Sequence, residues 1–402
     1  MKKFLHSQKP ALPYLIAAFL FVFLGQWTIA MASRGNTNTL SALILIQGFF
    51  FGFTYILSKF SDILLKKNDY LLPVLTFNGL IGGIFWLIFR FFGQYILLIL
   101  YAYDNDWWRN ATNYFRAMSP FVFLGLLIIS FIKVLLRKNK WLQVLVVAVL
   151  SAIFQNRLTH FYLFQRFRGI THVGYAHVYS LIFMLVLVII VAKNDIPLDF
   201  SDFFAKIKKT FTYSFKSMVQ ELLQGFFFIF FINGMVARLG SRDLFGVYAL
   251  ILAAFFIARL PSLVYSFLLP KYPDEYFFSN GLQISIGFYL IISLVFFAYP
   301  LDYIHHFTIN NYVLSRFPLY INVAMLYFIA TPVMDLYKFR LKVLGQNKFV
   351  MLATIIVNFI FIGVLFYLKN AYNINFIGYL GVFGLNNLLL MILFVLKLKK
   401  VS

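Results

Sequence analysis

The sequence predicts an all-α integral membrane protein, with about twelve transmembrane helices in two parallel-repeat six-helix lobes. Three observations carry this. Hydrophobic residues make up 62% of the 402-residue chain and charged residues only 12%, about half the charged share of an average soluble domain. Apolar runs of about twenty residues recur along the whole length. At about 1.5 Å per residue, each can cross a hydrocarbon core of roughly 30 Å. Polar landmarks in one half also reappear in the other.

The runs lie near 12–33, 40–65, 71–101, 113–132, 141–164, 174–192, 214–236, 244–270, 279–303, 317–337, 349–368 and 375–396. The first follows Lys2, Lys3 and Lys9, has full span length and meets no small-residue cleavage site before Arg34. It reads as a retained helix rather than a signal peptide. The fifth is the least apolar, since it carries Gln155, Asn156, Arg157 and His160. The longest polar stretch, 193–213, holds Pro197, Lys206, Lys208 and Lys209 and reads as a cytoplasmic linker. The expected lobes are therefore 1–192 and 214–402.

Basic loop residues set the orientation. Of the 35 Lys and Arg, 23 fall on the side of the two termini, 9 on the opposite side, and Arg90, Arg116 and Arg259 inside helices. The positive-inside rule then puts both termini in the cytoplasm of a multi-pass cell-membrane protein. The net charge of +22 is explained by these short loops, so no nucleic-acid partner is expected. The repeat is visible in Asn78-Gly79-Leu80 against Asn280-Gly281-Leu282, and in Arg34 against Arg238. Lys133-Val134-Leu135 with Asn139-Lys140 likewise echoes Lys342-Val343-Leu344 with Asn347-Lys348.

The chain has no Cys, which excludes disulfides, thiolate metal sites and a Cys nucleophile. His160, His172 and His177 have no metal-ligand spacing. No P-loop, dinucleotide turn or nucleophile elbow is present, so neither a cofactor nor a metal is expected and the protein does not read as an enzyme. Charges within spans are costly and face a cavity or a partner. Arg259, near the middle of the eighth run, lines a cavity or pairs with a carboxylate on a neighbouring helix. Glu221, flanked by Gln220 and Gln224, is a cavity or coupling residue, a partner of Arg259 or an interfacial group. Arg90 and Arg116 sit toward the outer leaflet, where Arg116 can snorkel. Asp335 precedes Lys338 and Arg340 and reads most simply as an interfacial ion pair, with a coupling role as the alternative. Thr331-Pro332 beside it marks a kink. Eight of 13 Arg lie in outer loops while 21 of 22 Lys lie inside. Arg forms bidentate contacts with phosphate, so this bias suits a pyrophosphate headgroup or, alternatively, anionic membrane lipid.

Gly234-Met235-Val236-Ala237-Arg238-Leu239-Gly240-Ser241-Arg242-Asp243-Leu244-Phe245-Gly246-Val247-Tyr248 resembles the opening of the second half in polysaccharide and oligosaccharide-lipid flippases. Pro261 and Pro270, then Leu344-Gly345-Gln346-Asn347-Lys348 and Gly378, Gly381 and Gly384, continue the likeness. Those flippases belong to the multidrug/oligosaccharidyl-lipid/polysaccharide exporter superfamily. The resemblance implies alternating access, with a polyprenyl-diphosphate-linked glycan as cargo and a glycan polymerase or glycosyltransferases as partner proteins. It makes Arg259, Arg90, Arg116, Glu221, Gln224, Arg34 and Arg238 the candidate substrate contacts. Multidrug exporters of the same superfamily place an acidic residue for cation coupling in the seventh helix. A cation-coupled multidrug or peptide exporter, with Glu221 or Asp335 as coupling residue, is therefore the alternative function. A glycan polymerase would carry a large outer loop, which is missing.

Reporter fusions after Lys67, Lys140 and within 193–213 should read cytoplasmic, and fusions after Arg109 and Arg242 external. One inverted fusion in the linker would remove the two-lobe arrangement.

Overall fold

In hydrocarbon every backbone N–H and C=O needs a partner within the protein, and a helix provides one locally. The computed structural model describes residues 11–33, 37–65, 70–101, 105–166, 169–195, 201–222, 234–236, 242–372 and 375–401, and its elements are all helical. In chain order they are α1 (Leu12–Ser33), α2 (Thr37–Leu57), a 3-10 segment (Ser58–Leu65), α3 (Leu71–Tyr101), α4 (Asn105–Met118) and α5 (Phe121–Arg137). Then come α6 (Trp141–His160), a π-helical turn (Phe161–Gln165), α7 (Ile170–Ala192) and α8 (Phe203–Glu221). After these follow α9 (Arg242–Ala258), α10 (Leu260–Leu268), α11 (Glu275–Ala298), α12 (Pro300–His305), α13 (Asn311–Tyr327), α14 (Ala330–Val343), α15 (Asn347–Tyr372) and α16 (Phe376–Lys399).

Among the described residues, 10 helical runs are long and apolar enough to cross a membrane, and the bent pair α9–α10 makes 11. They match the predicted runs to within several residues. The seventh predicted run, 214–236, lies largely outside the described residues. The stretch 193–213, expected as a linker, is helical from Phe203 onward. Ile207 and Phe211 lie on one stripe there, with Phe211 against Phe60 and Phe77, while Lys208 and Lys209 are exposed.

The helices form two compact units, one of Phe23–Arg34 and Asn38–Gly234, the other of Met1–Val22, Gly35–Thr37 and Met235–Ser402. Packing units and sequence halves are thus different divisions of the chain, since α8 packs with the first unit and the start of α1 with the second. The core of the first unit is largely aromatic. Phe50 meets Phe115 at 4.8 Å and Phe53 meets Phe85 at 4.8 Å between ring centroids, in the tilted and edge-on arrangements that π quadrupoles favour. Gly82 allows α3 to approach α5, because a Cβ there would stand 2.8 Å from Phe123 Cα. Small residues serve this purpose in membrane bundles. In the second unit Tyr265, Phe277, Phe278, Leu341, Val357 and Phe394 are buried together, with Tyr14, Leu15 and Ala18 of α1 packed against them.

Each unit also buries a base. Lys133, 4% exposed, donates to Asp62 Oδ1 at 2.5 Å and to the Ser58 carbonyl at 2.7 Å. Arg340 of the second unit donates to Glu275 Oε2 at 2.7 Å and to the Pro273 carbonyl. The sequence places both bases among cytoplasmic loop charges; Lys133 lies instead inside α5, before its last turn, and Arg340 in the last turn of α14. The turns that follow are the same. Asn139 and Gly345 take positive φ of 60° and 78°. The amides of Asn139 and Lys140 bond Leu136 and Leu135 carbonyls, as those of Gly345 and Gln346 bond Lys342 and Leu341. This is the Schellman closure, whose left-handed residue is Gly or Asn.

Removing the carboxylate of a fully buried ion pair costs roughly 3–5 kcal/mol. Asp62 is 33% exposed and Ser58 remains as acceptor, so Asp62→Ala should cost about 2 kcal/mol. Thermal unfolding in detergent should show this loss, and Asp62→Asn combined with Lys133→Met should restore most of it.

Candidate functional site

The polar centre of the second unit is built on two broken helices. Pro261 has no N–H and cannot continue the ladder, so α9 ends at Ala258 and α10 begins at Leu260, bent by 50°. Arg259 sits in the joint. Its amide still bonds the Phe255 carbonyl at 3.1 Å and its own carbonyl accepts from Leu263 at 3.2 Å, so the bend leaves neither group open. The second break, at Phe328–Ile329, separates α13 from α14. Pro332 offers no N–H to the Phe328 carbonyl, and the Thr331 amide takes it at 2.9 Å. The Tyr289 hydroxyl donates to the Met325 carbonyl at 2.8 Å. Gly384 of α16 fits beneath this break, since a Cβ there would stand 2.6 Å from the Tyr327 carbonyl oxygen.

One turn beyond the second break, Asp335 meets Arg259. The guanidinium Nη2 donates to Asp335 Oδ2 at 2.7 Å, and the Ser262 hydroxyl lies 3.4 Å from the same oxygen. The side chains are 20% and 7% exposed, and the guanidinium carbon stands 5.4 Å from the Phe255 ring centre. Among the described residues nothing donates to Asp335 Oδ1. Two further polar contacts surround the pair's helices: Asn387 donates to Thr331 at 2.8 Å, and Asn386 to Asn358 at 3.1 Å. The cluster is therefore an internally neutral ion pair that ties the two broken helices together.

Several expectations change here. The carboxylate partner of Arg259 is Asp335, 76 positions away, and not Glu221. Asp335 is buried and pairs with Arg259 rather than with Lys338 or Arg340, and Arg340 is committed to Glu275. Glu221 lies buried in the first unit, where its charge acts on Lys59 and Tyr55. Lys59 in turn donates to the Tyr55 hydroxyl at 3.1 Å. Arg90 and Arg116 come together, as described below. Arg34, Arg238 and Gln224 lie outside the described residues.

Sequence reasoning missed the polar hub of the first unit. His177 Nδ1 lies 2.9 Å from the Val173 carbonyl, which can only accept, so Nδ1 carries the proton. The single lone pair of Nε2 is then shared between the amide groups of Gln155 at 2.7 Å and Gln47 at 3.1 Å, and Gln47 also donates to the Tyr114 hydroxyl at 3.0 Å. A neutral imidazole with both nitrogens occupied joins α2, α4, α6 and α7. Gln155 and His177 were visible in the sequence as polar residues within apolar runs; their convergence was not. No group of three His or acidic side chains able to hold a metal occurs among the described residues.

No family model and no curated protein matches the chain. Solved structures do. An inward-facing multidrug resistance MATE family transporter of the MOP superfamily superposes with a TM-score of 0.73 at 12% identity, covering 98% of each chain. The MATE multidrug transporter DinF-BH, solved as a complex, gives 0.77 at 16% identity, over 100% of this chain and 96% of that one. A MOP superfamily transporter from Pyrococcus furiosus, described by the reverse polarity of its binding pocket, gives 0.72 at 14% over 98% and 94%. The fold of this chain is the fold of those transporters.

Arg259→Met and Asp335→Asn should each lower the thermal midpoint, and the double variant should lower it by less than the sum. A coupling of at least about 1 kcal/mol is expected; strict additivity would break the assignment of the pair.

Proposed function

We propose that this protein is a membrane transporter working by alternating access, and that it exports amphipathic organic molecules in exchange for a cation. The observation that carries the exporter over the flippase is the state of Arg259. A guanidinium already neutralised by Asp335 at 2.7 Å has no net charge left to hold a diphosphate, so the central residue of the flippase reading serves another purpose. The near full-length likeness to multidrug MATE transporters supports the same choice.

Asp335 is then the coupling residue. Its Oδ1 is uncommitted and Arg259 is a built-in counter-ion, so an arriving proton or metal cation competes with the guanidinium for one carboxylate. Such exchange shifts an equilibrium only by the difference in affinity between states. The site provides that difference because the displaced Arg259 sits at a helix bend and can swing with it. Glu221, held among charges of the first unit, is assigned a supporting electrostatic role.

The flippase reading keeps one point in its favour, the basic residues Arg90 and Arg116, with which no carboxylate pairs among the described residues. A transport assay decides between the two. In proteoliposomes, movement of a cationic rhodamine dye driven by a proton or sodium gradient should fall about tenfold or more in Asp335→Asn, and only partially in Glu221→Gln. Unchanged dye movement in Asp335→Asn, together with loss of surface glycan in cells, would reverse the choice.

A further inference from the structure

Three buried or half-buried bases, Lys133, Arg259 and Arg340, each take a carboxylate. Arg90 and Arg116 do not, and they lie side by side in the first unit. Arg116 Nη2 donates to Gln94 Oε1 at 2.9 Å, and Arg90 Nη1 reaches the Arg116 carbonyl at 3.4 Å. That carbonyl already accepts from the Ser119 amide at 3.3 Å and hydroxyl at 2.8 Å, so Arg90 adds little as a helix cap and most of its guanidinium is uncommitted. Arg116 Nε is buried with no acceptor. Among the described residues no carboxylate pairs with either.

The surroundings extend the same chemistry. Arg109, Asn113 and Arg116 are spaced by four and three residues and share one face of α4, with Arg109 and Asn113 exposed. Arg90 and Gln94, four apart, present the matching face of α3. Depth is informative too. Arg90 lies about 28 Å along α3 from Leu71, and Arg116 about 31 Å along α4 and α5 from Arg137, at about 1.5 Å per residue. A hydrocarbon core is roughly 30 Å thick. The apolar spans run Leu71–Leu100 and Trp108–Arg137, so both arginines stand in the third of their spans remote from Leu71 and Arg137, where a long side chain reaches toward headgroup level.

From this we infer that Arg90, Arg116 and Gln94 form a binding site for the phosphate group of a lipid headgroup. Two like charges on neighbouring turns of facing helices repel, and an anion bound by both relieves that repulsion. A phosphate diester accepts from both guanidinium forks, while the acyl chains stay in lipid beside exposed Leu87, Ile84 and Leu80. The lipid is either a resident anionic phospholipid or a carried polyprenyl phosphate; the phosphate chemistry is common to both. The site does not depend on which molecule the protein exports.

The test uses the full-length protein, delipidated and reconstituted in phosphatidylcholine nanodiscs with added phosphatidylglycerol, and native mass spectrometry of the lipid retained. Arg90→Gln with Arg116→Gln should reduce retained phosphatidylglycerol about tenfold or more. Lys369→Gln, a basic residue of the other unit, should leave it unchanged. Arg90→Lys with Arg116→Lys keeps the charge but loses the fork, and should retain an intermediate amount at an unchanged thermal midpoint, which separates lost binding from lost folding. Displacement of phosphatidylglycerol by equimolar polyprenyl phosphate from the unmodified protein, but no uptake of either by the Gln variant, supports the site and assigns it to a carried lipid. Equal phosphatidylglycerol retention by the unmodified protein and the double Gln variant overturns the proposal.

Discussion

A positive charge taken out of water must bring its compensation with it. Lys133, Arg340 and Arg259 each follow this rule with one carboxylate, and much of the local architecture is arranged around it. Lys133 and Arg340 add a backbone carbonyl, from Ser58 and Pro273, so Lys133 ties α5 to the 3-10 segment before α3 and Arg340 ties α14 to the turn before α11. In both cases a charge-assisted hydrogen bond fixes the connection. Arg259 differs because it joins two helices at their breaks. The first two pairs anchor helices to neighbouring connections, and the third ties two broken helices to each other.

The spans were legible because twenty apolar residues in a row have few other interpretations. Their ends were less so. Lys133 sits in Phe121–Leu136, an otherwise apolar run, and its place inside α5 could have been read from those flanks. It was taken for a loop residue because lysine is usually found there. The repeat was legible at Asn139, though its register was not. The structure pairs Asn139 with Gly345, because both take positive φ, whereas residue identity had paired it with Asn347.

The candidate site was legible as a set of residues and not as a set of pairs. Arg259 stood out as a charge in mid-span and Thr331-Pro332 announced the second break, whereas Pro261 was noted only for the family likeness and not for the bend it makes. Nothing in sequence order says that Arg259 chooses Asp335 over Glu221. That choice follows from which helices pack together, and local pattern does not encode it. The His177 hub was hidden for the same reason, since its four side chains come from four helices and even Gln155 and His177 stand 22 positions apart.

The break between α13 and α14 has a consequence for the cost of motion in lipid. A helix that must unwind to bend exposes amides and carbonyls where no water can reach them, at several kcal/mol each. Here the disruption is built in: Tyr289 already holds the Met325 carbonyl, Thr331 already holds that of Phe328, and the absent side chain at Gly384 leaves room for the backbone above it. Bending about this joint would start from a ladder that is already interrupted and already satisfied. A bundle jointed in this way can be stiff within each rod and yet flex cheaply between rods.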